Sequence, residues 1–378
     1  MSLLEKSGLE KSRLAKSFDT DVLVIGGGPA GLAAAIAVRR KGMRVRVVDT
    51  ALPPIDKACG EGLMPDALKA LAELGVRLPE GVGGVFRGIR FAGRFVDDDI
   101  AVEATFPSRY AVAVRRTVLH NILADAAAEA GVEMSWGTSA GELAEASARW
   151  LVGADGYNSR VRKWAGLERW RRRRERYGFR VHYHLAPWSE YVEVHWNPEF
   201  QIYVAPVGAQ EVLLALLCRH PHLRLPEALE SFPELEERLG NAPRTTMERG
   251  GISATRRLWT VTQGSVALIG DASGSVDAIT GEGLGLAFRQ ALALADALAA
   301  GNLDLYEAAH RRLARRPAFI ARLLLLLDGR AELQDRALRY LARHPGVFRF
   351  LLAWHVGELR NPIRIFHGAG LAGAERGK

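Results

Sequence analysis

The chain has 378 residues, 25% of them charged and 48% hydrophobic, a balance that suits a globular fold with a core large enough for two closely joined domains. No segment approaches the apolar length of a membrane span; the run Leu323 to Leu327 is flanked by Arg322 and Asp328. The net charge of +8 gathers partly in Arg169, Arg171, Arg172, Arg173, Arg174 and Arg176, read as a solvated basic face or edge strand. Docking of an anionic cofactor, a lipid surface or an acidic carrier is the sharper alternative. Without a recognition motif beside it, the charge does not indicate nucleic acid.

In chain order, Met1 to Lys16 is charged throughout and lacks the apolar stretch of a secretory signal. Asp21 to Ile25 is a short apolar run, expected to form a buried strand. The turn Gly26-Gly27-Gly28-Pro29-Ala30-Gly31 follows, then a helix from Pro29 to Lys41. Proline suits its first turn, Arg39, Arg40 and Lys41 oppose the dipole at its end, and Gly42 can cap it. Val45 to Val48 is a second strand ending at Asp49, which completes a βαβ unit. A loop carrying Lys57-Ala58-Cys59-Gly60-Glu61-Gly62 precedes a helix over Pro65 to Leu74. Strands and turns over Val85 to Ala104, a helix over Thr117 to Ala130 and a strand over Trp150 to Ala154 come next. Four candidate strands, Arg180 to Leu185, Tyr191 to Trp196, Gln201 to Val207 and Glu211 to Cys218, then imply an antiparallel sheet. Val266 to Ile269 returns to a buried strand, a long helix covers Gly281 to Ala300, and Leu303 to Val356 is mostly helical. Two cysteines, Cys59 and Cys218, make no disulfide framework and fit a reducing cytoplasm.

Gly26, Gly28 and Gly31 satisfy G-x-G-x-x-G between a strand and a helix. The first glycine permits the tight turn, the second lets the backbone approach a pyrophosphate, and the third lets helix and strand pack closely. Asp49 lies 21 residues after Gly28 and can accept hydrogen bonds from ribose hydroxyls. This much indicates a dinucleotide without separating FAD from NAD. Two more segments add to it. Gly270-Asp271 ends a strand, and Thr280-Gly281-Glu282-Gly283-Leu284 opens a long helix whose N–H groups can face the N1–C2=O edge of a flavin. Asp155-Gly156 ends another strand beside Arg160 and Arg162.

In this order and spacing the three segments resemble the FAD-dependent monooxygenase superfamily with the p-hydroxybenzoate hydroxylase-like fold, over about residues 20 to 300. The resemblance implies that Gly26, Gly28, Pro29, Ala30, Gly31 and Asp49 hold the ADP half of FAD. It implies that Gly270 and Asp271 hold the ribityl–pyrophosphate part, that Asp155 and Gly156 support FAD, and that Arg116 touches the pyrophosphate. Gly281, Gly283 and Leu284 then lie against the flavin. Hydroxylases of this group carry a histidine soon after the Gly-Asp and a proline before the helix glycines; here those positions are Ser273 or Gly274, and Ala278. The Thr-Gly-Glu-Gly string and the Lys57 to Gly62 loop look more like the geranylgeranyl reductase branch, where a cysteine–glycine loop lies near the flavin ring. No Trp-x-Trp-x-Ile-Pro stretch supports a halogenase.

Cys59 and Glu61 are the candidate catalytic residues, and Lys57 joins Glu61 as a candidate for positioning the flavin; a solvated loop pair is the bland alternative. His182 and His184 share one strand face opposite Val181, Tyr183 and Leu185, so the histidines are expected to face solvent or a further sheet layer. Tyr183, Trp196 and Tyr203 are candidate walls of a substrate pocket. No spacing supports a metal site.

The expected fold is α/β: a Rossmann-like FAD-binding domain in three pieces (20–80, 111–165 and 260–300), an inserted antiparallel sheet domain for substrate (81–110 and 166–259) and a helical C-terminal region (301–378). The expected function is FAD-dependent oxidation–reduction in the cytoplasm. The first reading is an NAD(P)H-dependent monooxygenase, with NAD(P)H binding transiently and an apolar or aromatic small molecule as substrate. The close rival is a reductase of C=C bonds, like the geranylgeranyl reductases, and a non-redox flavoprotein is the third. For the leucine-rich C-terminal helices, packing is the simple reading, and a lid or a peripheral membrane contact the minor one.

Overall fold

The computed structural model describes residues 19–94, 99–108, 110–139, 148–172 and 175–359. Met1 to Lys16, Arg173 and Arg174 lie outside the described residues. The chain runs β1 (Thr20–Ile25), α1 (Pro29–Arg40), β2 (Val45–Asp49), β3 (Gly62–Leu63), α2 (Pro65–Glu73), β4 (Gly84–Phe86), β5 (Gly88–Arg94), β6 (Asp99–Thr105), β7 (Ala111–Ala113) and α3 (Arg116–Glu129). It continues with β8 (Glu133–Trp136), β9 (Ala148–Gly153), α4 (Arg160–Trp164), β10 (Trp170–Arg172), β11 (Arg176–Tyr183), β12 (Tyr191–Trp196), β13 (Phe200–Gly208) and β14 (Glu211–Cys218). Then come α5 (Leu225–Leu229), α6 (Pro233–Leu239), β15 (Arg249–Ser253), β16 (Arg256–Leu258), β17 (Thr262–Gln263), β18 (Val266–Leu268), β19 (Gly274–Ser275) and α7 (Gly283–Ala299). The helices α8 (Leu303–Leu327), α9 (Ala331–Arg343) and α10 (Pro345–His355) follow.

Two large sheets organise the molecule. The first has six strands in the order β17-β18-β9-β1-β2-β8, parallel except for the β17–β18 hairpin. Its central strands are short apolar runs because helices cover them. Val22, Val24, Val47 and Val152 share one core with Leu32 of α1, Leu119 of α3 and Phe288 of α7. This core is assembled from stretches far apart in sequence.

The second sheet has seven strands in the order β15-β11-β14-β13-β12-β5-β6. It is antiparallel but for one parallel pair, β12 with β5. Strand alternation gives it two different faces. Val181, Tyr183, Ile202, Leu214 and Leu216 point into a core closed by α5 and α6. On the other face, Val194, Trp196, Ala205 and Leu213 pack with Leu338 of α9 and with Phe348 and Leu352 of α10. Each leucine here with essentially no exposed area contributes about 1.5–3 kcal/mol relative to an exposed one.

Candidate active site

The glycine turn joins β1 to α1. Gly26 has φ 110°, and a methyl there would lie 2.4 Å from the Ala154 carbonyl oxygen, so only glycine fits. A methyl on Gly31 would fall 1.8 Å from the Gly26 carbonyl oxygen; helix and turn touch through bare backbone. Gly28 is different. Its φ of −70° suits any residue, and a methyl there would meet only the Arg116 guanidinium, at 3.6 Å. Open space therefore lies at the N-terminus of α1, where Pro29 is buried in the first turn and donates no N–H. Asp49 accepts hydrogen bonds from the Gly27 N–H at 2.7 Å and the Ala51 N–H at 2.8 Å, so it also fastens the turn to β2.

Cationic side chains gather opposite. Arg116 is almost fully buried, and its Nε has no hydrogen-bond partner among the described residues. Lys57 is exposed, and its ammonium stands 3.2 Å from where a methyl on Gly156 would be. Asp155 accepts from the Arg160 and Val161 N–H groups at 2.6 and 3.2 Å and so caps the start of α4. The side chain of Asp271 still touches solvent, but the surrounding protein pushes its carboxyl up; Lys57, Arg116 and Arg256 oppose that shift. Gly270, with φ 60°, donates to Gln290 Oε1 at 2.9 Å, and a methyl there would lie 2.7 Å from the Ala30 side chain. The long helix starts at Gly283, two residues later than expected, because Ala278–Thr280 forms a 3₁₀ turn and Gly281 takes φ 66°. Gly283 faces open space, and Leu284 leans on the first core.

The Lys57 to Gly62 loop is not a solvated pair. Glu61 is 1% exposed and has φ 59°, a left-handed conformation in a non-glycine residue. Its Oε1 accepts the Arg116 N–H at 2.8 Å, at the positive end of α3, and its Oε2 meets His182 Nε2 at 2.8 Å. Arg180 Nη1 lies 3.2 Å from His182 Nδ1. A guanidinium can only donate, so Nδ1 is the acceptor and Nε2 carries the proton that Glu61 receives. Arg180 also pairs with Asp56. Cys59 is half-buried beside this cluster, and the Glu61 N–H approaches its Sγ at 3.3 Å. Desolvation pushes the thiol up, against the pull of the Arg116 guanidinium. That direction disfavours the nucleophilic thiolate.

The histidine expectation is corrected here. His182 is completely buried and faces inward with Arg180, because this side of β11 meets the loop rather than water. His184 lies beyond the strand end and is exposed. Tyr183 points the other way, into the core closed by α5 and α6. Trp196 is buried against Phe91, with ring centres 5.3 Å apart, in the core beneath α9 and α10. Tyr203 sits on the same sheet face as Arg180, and its hydroxyl donates to Gln201 Oε1 and the Ile279 carbonyl at 3.1 and 3.3 Å. A further buried cluster escaped the sequence reading. Glu282 lies 3.3 Å from Arg316 and 3.6 Å from His355 Nδ1, and Asp66 pairs with Arg289 and Arg316. Burial raises Glu282 to about 7. Glu282 stood in the Thr-Gly-Glu-Gly string, but its partners come from α2, α7, α8 and α10 and had no local signal.

Residues 19–146 match the sequence family described as FAD binding domain. The menaquinone reductase of Mycolicibacterium smegmatis is 29% identical over 330 residues, 76% of this chain and 78% of the relative. That of Mycobacterium tuberculosis (strain H37Rv) is 30% identical over 304 residues, 70% and 72% of the two chains. The digeranylgeranylglycerophospholipid reductase of Thermoplasma volcanium is 26% identical, covering 70% and 74%. Among solved structures, a flavoprotein/dehydrogenase from Cytophaga hutchinsonii superposes with a TM-score of 0.75 at 19% identity, over 89% of this chain and 93% of that one. The chain belongs to the FAD-dependent oxidoreductase superfamily with the p-hydroxybenzoate hydroxylase-like fold. It is an FAD-dependent oxidoreductase. The open space at Gly28 and Gly283 and the unpartnered Arg116 Nε suit an anionic dinucleotide.

Proposed function

We propose that the protein is an FAD-dependent reductase that saturates a carbon–carbon double bond in an apolar, isoprenoid-like substrate, with NAD(P)H as the electron source. Gly28, Arg116 and Lys57 would hold the FAD pyrophosphate, Asp49 the adenosine ribose and Asp271 the ribityl hydroxyls, and the N–H groups that open α7 would serve the flavin ring. FAD supplies hydride chemistry when bound. Saturation adds a hydride to one carbon and a proton to the other, so the protein must hold a proton ready.

The observation that carries the reading is the Cys59–Glu61 loop. Cys59 keeps its proton because desolvation raises it, and Sγ–H is the donor placed at the junction of the two sheets. Glu61 is a positioning residue: its carboxylate, clasped by Arg116 and His182, fixes the loop in a strained backbone. The names of the mycobacterial and Thermoplasma relatives, both reductases, favour the same reading.

The test is anaerobic. The FAD-loaded protein is reduced with NADPH and mixed with a short-chain menaquinone or with geranylgeranyl diphosphate. Flavin reoxidation with a product two hydrogens heavier is expected, slowed about 10²-fold in Cys59→Ala. Turnover that requires O2 and yields an oxygenated product would replace this reading with the NAD(P)H-dependent monooxygenase.

A further inference from the structure

Helix α8 has two unlike faces. Its inner face, through Ala321, Leu324 and Leu325, packs against Tyr203, Leu217 and Ile279 beside the candidate active site. Its outer face exposes Phe319, Leu323 and Leu326 to 52%, 37% and 56%. These are spaced i, i+4 and i+7, so they form one stripe. Leu333 of α9 is also exposed, and Trp354 of α10 meets the Phe319 ring edge-on at 5.2 Å.

Charge surrounds the stripe. Arg312, Arg315 and Arg322 are exposed and fall on the same side of α8 as Phe319 by helical spacing, and Arg330 follows just before α9. None of the four makes an ion pair among the described residues, whereas Arg311 and Arg316 on the same helix are paired with Glu307 and with Asp66 and Glu282. Exposed apolar side chains ringed by free guanidinium groups suit a surface that offers both hydrocarbon and negative charge. No described helix is long and apolar enough to cross a membrane, so contact is by docking and not by spanning.

We propose that the outer face of α8, centred on Phe319, Leu323 and Leu326 and flanked by Arg312, Arg315 and Arg322, docks on an anionic lipid bilayer. The helix then stands between bilayer and active site, with Tyr203 and Leu217 behind it.

Co-sedimentation with vesicles tests this without any turnover, so its outcome is separate from that of the reductase reading. The full chain with bound FAD is mixed with vesicles of phosphatidylcholine alone or of phosphatidylcholine with phosphatidylglycerol. Binding to the anionic vesicles only, weakened by salt, is expected. The Phe319→Glu/Leu326→Glu variant should lose it while keeping the FAD content and melting temperature of the wild type. Each of Arg312→Gln, Arg315→Gln and Arg322→Gln should lower the partition coefficient about fivefold, which keeps the proposal testable if the double variant fails to fold. Absence of binding, binding equal on both vesicle types, or arginine variants that bind like the wild type would overturn it. A wild-type dimer that the double variant converts to monomer, without lipid binding, would assign the face to a second copy of the chain instead.

Discussion

Two glycines of one motif should fail in opposite ways. A methyl on Gly31 falls 1.8 Å from the Gly26 carbonyl oxygen and 3.2 Å from Ala154 Cβ, and backbone must move to admit it. Overpacking of that kind costs about 1–3 kcal/mol, and more where the obstacle is backbone. The helix-propensity gain of alanine over glycine offsets about 1 kcal/mol of this. Gly28 has ordinary dihedrals and open space in front of it, so Gly28→Val leaves the apoprotein folded. On the proposed placement its side chain would instead occupy the space of the pyrophosphate. Loss of two backbone hydrogen bonds to a charged phosphate would remove about 3–6 kcal/mol, roughly a 10²- to 10⁴-fold rise in the FAD dissociation constant. Thermal melting of the apoproteins and FAD titration by flavin fluorescence separate the two effects. Gly31→Ala should melt well below the wild type, whereas Gly28→Val should melt like it and bind FAD poorly. A Gly28→Val protein with wild-type FAD affinity would refute the placement of the cofactor at this turn.

Other outcomes follow from the buried groups. Glu282 is raised from 4.5 to about 7 by burial. A raised acid keeps its proton when folded, so the wild type should lose stability relative to Glu282→Gln as pH climbs from 4.5 through 7, by at most ~3 kcal/mol. Parallel stability–pH curves for the two proteins would contradict this. His355 is lowered to about 4 by burial and donates from Nε2 to the Thr280 carbonyl. The stability it contributes is full above 6.5 and lost as pH falls toward 4, so His355→Gln should flatten the acid limb of the unfolding curve. Leu214→Ala should cost about 2–5 kcal/mol in denaturant unfolding, with FAD stoichiometry unchanged, because Leu214 faces α5 and α6 and not the site. Asp271→Ala should lose most bound FAD on desalting; retained stoichiometric flavin would show that the carboxylate is dispensable.

The βαβ unit and the second sheet were legible because their signals are local. An apolar run, Gly26 and Gly31 at a fixed offset and an acid at a strand end are each dictated by backbone geometry at that place. The helix over Gly281 to Ala300 was found but misplaced by two residues, because a glycine with positive φ reads as a helix start as easily as a turn. His182 was misread for a different reason. Alternation along β11 correctly separated His182 from Val181 and Tyr183, but which face meets water depends on the distant loop at Cys59–Glu61. A polar strand face is exposed by default and buried only when partners arrive from elsewhere, here Glu61 and Asp56. The same non-locality hid the Glu282 cluster, whose charges come from several helices.

Glu61 ties three parts of the molecule together: the loop, the N-terminus of α3 and the second sheet. A left-handed non-glycine backbone costs of order 1–3 kcal/mol. Hydrogen bonds to a charged group contribute about 1.5–3 kcal/mol each, so the two that Glu61 accepts outweigh the strain. The consequence is mechanical. Arg116 begins α3 and stands over the glycine turn, while His182 belongs to the sheet that carries Tyr203. Arg116 is thus tied through one carboxylate to β11 of the second sheet. Cys59 lies two residues before this link, and the Glu61 N–H approaches its Sγ at 3.3 Å. That arrangement explains why a short loop needs a buried glutamate in a conformation that glycine would adopt more cheaply: glycine would supply the turn but not the link between α3 and the sheet.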